Sequence, residues 1–270
     1  MIDYNKQLAI SGTSGFLGSK VEEITRQEYE LFALKRDQKL LSEAIFESVL
    51  LCHGAVASGK DALSELALFH GNIAFTENVI EQINAKRFVF ASTASIAGFQ
   101  AQVIDESSCM YPPNNYAISK LWAEELVRRK PSHAIVRFSS IYGEGMRENT
   151  IIPNYVNQAL GKGEIEVWGT GSRKQNYIHV SDAAQLMLDA AISSENGIYL
   201  GVDVHEYTNL ELAEIIASKT CATIKFVNSD SSLSASYDNT KTRAMLNWKP
   251  AISFEAGIGQ YIEWKKRQLS

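Results

Sequence analysis

With 270 residues, 45% of them hydrophobic and 21% charged, the chain is large enough for one α/β domain, or a domain with a small appendage, around a substantial core. A net charge of −5 with no basic block excludes nucleic acid as the main partner. No apolar run approaches the ~20 residues that span a bilayer, Met1 to Lys6 lacks the start of a signal peptide, and Cys52, Cys109 and Cys221 form no metal set with the five histidines, so the expectation is a cytoplasmic protein with free thiols, no metal and no membrane contact.

The first part of the chain alternates short apolar runs with amphipathic stretches, the pattern of a parallel sheet with crossover helices. Gln7 to Ile10 reads as a first strand, Ser19 to Ile24 as a helix, Tyr29 to Leu34 as a second strand and Val49 to Cys52 as a third. About a dozen residues separate Arg36 from that third strand, where a βαβ unit needs ~30. The segment Asp37 to Glu47 is therefore truncated, with room for one helix. A helix from Thr76 to Ala85, a strand from Arg87 to Ala91, a helix from Ser119 to Lys130 and a strand from Ala134 to Phe138 follow. From Ile151 the elements shorten and Gly-rich turns such as Trp168 to Ser172 intervene. Thr208 and Glu211 have capping-box spacing ahead of a helix from Leu212 to Lys219.

Ser11-Gly12-Thr13-Ser14-Gly15-Phe16-Leu17-Gly18 stands between the first strand and its helix. A chain that turns sharply, approaches a pyrophosphate and packs helix on sheet needs residues without Cβ, and the helix N-terminus supplies N–H groups for the anion. The order of elements and this turn predict an α/β, Rossmann-type, doubly wound parallel sheet over residues 1–150, interwoven with a smaller substrate-binding region over 151–270. Gly12, Ser14, Gly15, Phe16, Leu17 and Gly18 are the candidate dinucleotide contacts. At the end of the second strand, Lys35 and Arg36 precede the first acid, Asp37. Cations here suit the 2′-phosphate of NADP(H), the preferred cofactor; Asp37 on a ribose would instead mean NAD(H).

Tyr116 and Lys120 lie one helical turn apart on a common face. A cation favours the ionised phenol, so Tyr116 can pass a proton to or from a substrate oxygen. Ala91-Ser92-Thr93-Ala94-Ser95 ends an apolar strand, where open parallel sheets bind ligands, and a hydroxyl there can bond the same oxygen.

These motifs, in this order, resemble the extended short-chain dehydrogenase/reductases, the NAD-dependent epimerase/dehydratase family, from Leu8 to about Trp264. Cys52-His53-Gly54-Ala55 is similar to the family's fourth-strand cofactor turn, and Asn72 to its helix Asn. Val136 to Gly143 is similar to the segment flanking the nicotinamide. Trp168 to Asp182, Asp238 to Lys241 and Leu246 to Pro250 are similar to the sugar-nucleotide branch. The resemblance implies Thr93, Tyr116 and Lys120 as catalytic residues, with Gly54, Ala55, Ser139 and the Tyr/Lys pair on the cofactor. Ser95, Arg147, Asn149, Arg173 and Gln175 are the candidates for substrate contacts. His179 is expected to be structural.

Several positions depart from the family pattern. Ala94 and Ser95 replace the acid pair of dehydratases, Gln175 an Arg on the diphosphate, Asn176 an acid and Ser140 an Asn. The leading expectation is an NADPH-dependent 4-keto-sugar reductase acting on a sugar nucleotide. The alternatives are an NAD-dependent sugar-nucleotide epimerase, a reductase of a small non-nucleotide carbonyl, and a non-catalytic dinucleotide sensor. A homodimer through the helices around Thr76 to Ala85 and Tyr116 to Lys130 is expected.

Overall fold

The computed structural model describes residues 6–36, 44–56, 63–98 and 103–270. A six-stranded parallel sheet runs in the order β2-β1-β3-β4-β5-β9. Its strands are β1 (Gln7–Ser11), β2 (Glu30–Leu34), β3 (Ile45–Leu51), β4 (Asn84–Thr93), β5 (His133–Phe138) and β9 (Gly197–Gly201). Runs such as Val49-Leu50-Leu51 and Phe88-Val89-Phe90 are buried throughout, because helices cover both faces of the sheet. On one face α1 (Phe16–Thr25) and α6 (Val180–Ile192) close over Leu8, Ile10, Val136 and Phe138. On the other, α3 (Phe75–Gln82) and α4 (Asn115–Arg128) close over Phe46, Val49, Phe88 and Phe90.

The strand order reverses between β1 and β3, which puts a crevice at the carboxyl ends of those two strands. Beyond β2 the sheet has no further strand among the described residues, so a doubly wound order ends one strand early. The short stretch between Leu34 and Ile45 is the reason, since it cannot hold a helix and a returning strand. The single helix expected there, and Asp37 with it, lies outside the described residues.

Several boundaries differ from the sequence reading. The helix read as Thr76 to Ala85 stops at Gln82, because Ile83 turns extended and Asn84 opens β4. It begins earlier, running from α2 (Glu65–Leu68) through a π-helical turn, Phe69–Ala74, into α3. The helix read as Ser119 to Lys130 starts at Asn115, where the Asn114 side chain accepts from the Ala117 N–H.

The remaining elements build a second layer. A small sheet β10-β8-β6 comprises β6 (Ser140–Tyr142), β8 (Lys174–His179) and β10 (Glu206–Thr208), and β7 (Glu164–Trp168) pairs with β11 (Thr223–Val227). The helices α5 (Ile151–Lys162), α7 (Asn209–Thr220) and α9 (Phe254–Leu269) pack on them around Tyr142, Tyr177, Phe254 and Tyr261. The Thr208/Glu211 capping box opens α7. A short helix, α8 (Thr240–Leu246), lies against β9 through Thr242, whose hydroxyl accepts from the Leu200 N–H. The central sheet thus takes α6 and β9 from beyond residue 150.

Candidate active site

A cleft of about 880 Å3 opens at the crevice between β1 and β3. Gly12, Ser14, Gly15, Phe16 and Leu17 form one wall. Gly12 has φ +76°, and a Cβ there would lie 2.7 Å from the backbone nitrogen of His53. Gly18 stands outside the cleft, where a Cβ would collide with the Gly12 carbonyl, so its part is to let α1 approach the turn. The α1 N-cap, Gly15, makes no side-chain cap and the first turn carries no acid. Its N–H groups are therefore left for an anion, and a dinucleotide pyrophosphate fits this wall.

Lys35 and Arg36 flank the far end of the cleft, with the Arg36 guanidinium 5.9 Å from the centre of the Phe75 ring. Gly54 lines the cleft, and Ala55 lines an adjoining cavity of about 740 Å3 that also touches Arg36, His70, Arg147 and Asn149. Asn72 locks this turn. Its Oδ1 accepts from the Ala55 N–H (2.6 Å), and its Nδ2 donates to the Ala55 carbonyl (3.0 Å) and to Ser119 Oγ (2.9 Å). Ser119 in turn donates to the Tyr116 carbonyl, so the Gly54-Ala55 turn is tied to the helix that carries Tyr116 and Lys120.

Thr93, Tyr116 and Lys120 all reach the same cleft, Thr93 from the end of β4 and the other two from α4. The Tyr116 and Thr93 hydroxyls interact within the cleft. Burial pushes this phenol up to about 12, while the Thr93 hydroxyl and the Arg147 charge pull the other way. Lys120 is 3% exposed and sits 4.0 Å over the Phe90 ring. Burial brings its ammonium down to about 7, against the opposing pull of Glu124 and Cys52. The result is a phenol and an amine meeting a hydroxyl in one half-buried space, which is equipment for moving a proton to or from an oxygen held there.

The candidate substrate residues scatter. Arg147 lines the cleft, and its Nη1 donates across it to the Val56 carbonyl at 2.7 Å. Asn149 and Arg173 line a further cavity of about 400 Å3. Ser95 is turned toward Thr93, Oγ to Oγ1 at 2.9 Å, and is not among the cleft residues. Nor is Gln175, whose amide donates to Asn209 Oδ1 at 2.8 Å. Asn176, 3% exposed, accepts from Ser139 Oγ and the Asp203 N–H, and so holds Ser139 at the cleft edge. His179 packs edge-on against Tyr142 and accepts from the Ser181 N–H. Burial lowers its imidazole to about 4.

A sequence profile of the NAD dependent epimerase/dehydratase family matches residues 8–199. The chain belongs to that family. The dTDP-D-glucose 4,6-dehydratase of Mus musculus is 26% identical over 213 residues, covering 71% of this chain; the chain spans 59% of the length of that relative. Among solved structures, MoeE5 in complex with UDP-glucose and NAD superposes with a TM-score of 0.86 at 20% identity, covering 98% of this chain and 100% of the other. UDP-glucuronic acid 4-epimerase from Bacillus cereus, in complex with NAD, gives 0.84 at 16%, with the same coverage. At such identities the two structures establish a shared fold.

Two buried polar residues of this family member were given no role by the sequence: His53, within the Cys52-His53-Gly54-Ala55 turn that lines the cleft, and Glu124, which is not among the cleft residues. His53 is buried between Ser11 Oγ (2.6 Å from Nδ1) and Thr76 Oγ1 (2.9 Å from Nε2). Thr76 gives its proton to the Asn72 carbonyl, so it accepts from Nε2–H and sets the tautomer of a neutral ring. Burial first, then the charges of Lys120 and Arg36, hold that imidazole well below its usual range. Glu124 is fully buried one turn beyond Lys120, gripped by Arg137 through two bonds (2.9 and 2.7 Å) and by Ser92 Oγ (2.6 Å). Charged residues on apolar faces, Glu124 on its helix and Arg137 in Val136-Arg137-Phe138, were the available signal: two buried charges must find each other.

Proposed function

We propose that the chain is an NADPH-dependent reductase of a 4-keto sugar carried on a nucleoside diphosphate. The observation that carries this reading is the gathering of Thr93, Tyr116 and Lys120 in the cleft that Lys35 and Arg36 also line. A bound reduced nicotinamide supplies hydride. Thr93 and Tyr116 hold the carbonyl oxygen between them, and Tyr116 gives it a proton as charge develops there. Lys120, one turn along the helix from Tyr116, steadies the tyrosinate left behind. Lys35 and Arg36 are the contacts for a 2′-phosphate, and Arg147 and Arg173 are the cations on the way to the diphosphate.

A second reading, an NAD-dependent sugar-nucleotide epimerase, draws on the NAD in both compared structures and uses the same residues. The two readings separate by stoichiometry. NADPH and NADH oxidation would be measured against a panel of 4-keto-6-deoxy sugar nucleotides, with the product sugars identified. Net NADPH consumption with one substrate is expected, and Tyr116→Phe should abolish it while keeping NADPH affinity near that of the unaltered protein. Sugar interconversion without net oxidation would make the protein an epimerase. Cofactor binding without turnover on either panel would leave a sensor.

The partner we assign is a second copy. Leu66 and Ile118 are 65% and 46% exposed, Phe69 and Trp122 41% and 53%, on neighbouring helices bridged by Asn115 and Glu65. An apolar face of this kind on paired helices suits a two-fold helical interface.

A further inference from the structure

The 400 Å3 cavity adjoins the active-site cleft, sharing Thr150 with it, and is walled by Trp168, Glu166, Asp230, Arg173 and Tyr155. We propose that it holds the base of the substrate's nucleotide and that Glu166 and Asp230 select guanine. The assignment rests on the sugar-nucleotide reading of the cleft and adds to it the identity of the base.

Position and size come first. A ligand whose sugar lies at Tyr116 and whose diphosphate passes Arg147 continues into this cavity, which is large enough for a small-molecule group. Arg173 stands within it, its Nε donating to the Leu233 carbonyl, so one cation is fixed near the entering phosphates. Trp168 ends β7 with 54% of its surface exposed, which leaves an indole face for stacking.

The hydrogen-bonding character of the walls then discriminates among bases. Glu166 is held in place by its N–H, which donates to Gln158 Oε1 at 2.7 Å, and among the described residues it forms no ion pair. The bonds that Asp230 accepts from Ser232 keep its carboxyl below the usual range, so it is ionised at neutral pH. A carboxylate accepts and never donates. Uracil and thymine offer one N–H between two carbonyl oxygens, so such a wall faces two acceptors for each donor. Adenine and cytosine set one amino group beside a ring acceptor. Guanine alone presents adjacent donors, N1–H and the 2-amino group, that match both oxygens of a carboxylate. Leaving acceptors opposed and buried is the penalty that rejects the other bases.

The test is calorimetric titration of the protein, saturated with its nicotinamide cofactor so that the adenosine site is blocked, with GDP, UDP, dTDP, CDP and ADP. GDP should bind at least about tenfold tighter than each of the others. Glu166→Gln places an amide N–H₂ against guanine's own donors and relieves the clash with uracil's carbonyls, so it should cost GDP at least about tenfold while leaving UDP no weaker than before. Asp230→Asn is the companion variant, and the unaltered protein's ranking decides the matter if neither variant folds. UDP or dTDP binding as tightly as GDP would overturn the guanine assignment and leave the sugar-nucleotide reading standing. No nucleoside diphosphate binding, with cofactor still bound, would overturn both.

Discussion

Replacing Lys120 by Met should stabilise the protein at neutral pH and leave its stability nearly unchanged in alkali. The Lys120 ammonium is 3% exposed, faces the Phe90 ring at 4.0 Å and makes no ion pair among the described residues, because Glu124 is committed to Arg137. Burial accordingly brings it from 10.5 to about 7. In the unfolded chain the amine stays protonated up to about 10.5. Between those values the unfolded state holds a proton that the folded state has lost, so stability rises with pH across this window. Below about pH 7 both states are charged and the fold carries the whole cost of burying the ammonium. The gap between 10.5 and about 7 corresponds to about 5 kcal/mol, at ~1.4 kcal/mol per pKa unit.

Met keeps the unbranched stem without the charge. The advantage of Lys120→Met over the unaltered protein should therefore be about 5 kcal/mol near pH 6 and shrink to about 1 kcal/mol near pH 10. Cys52 and Tyr116, the neighbouring titratable groups, are both pushed up to about 12 by burial and stay protonated throughout. Their titration in the unfolded chain is common to both proteins and cancels. Urea unfolding at a series of pH values, with free energies extrapolated to water, measures the difference. A constant gap across that range would mean that Lys120 titrates as an exposed lysine and that the cleft imposes no desolvation on it.

Two further substitutions probe the cofactor end and the exposed helices. Arg36→Ala should weaken NADPH by roughly ten- to a hundredfold, the worth of a charge-assisted bond to phosphate, and NADH by far less; equal losses in fluorescence titrations would make Arg36 a bystander. Trp122→Glu should shift a dimer toward monomer in light scattering at micromolar concentration without lowering thermal stability of the monomer, because the side chain is 53% exposed. An unchanged mass would place the interface elsewhere.

The part of the cleft lined by the glycine turn and by Tyr116 and Lys120 could be read directly along the chain because each of its parts is local. A strand, a turn without Cβ atoms and a helix N-terminus occupy consecutive residues from Gln7 to Thr25, and Tyr116 and Lys120 share a face merely by lying four residues apart in a helix. The alternation of strands and helices likewise dictated the doubly wound sheet, and the truncated stretch after Arg36 agrees with the absence of a further strand beyond β2 among the described residues. What required the tertiary structure were contacts between residues far apart in sequence. Asn72 joins the Ala55 turn to Ser119, Glu124 meets Arg137 and Ser92, Arg147 reaches the Val56 carbonyl, and Gln175 turns to Asn209 instead of the cleft. Helical and strand periods set the face on which a residue sits. Only the packing of one face on another decides which polar groups, once buried, have each other as partners.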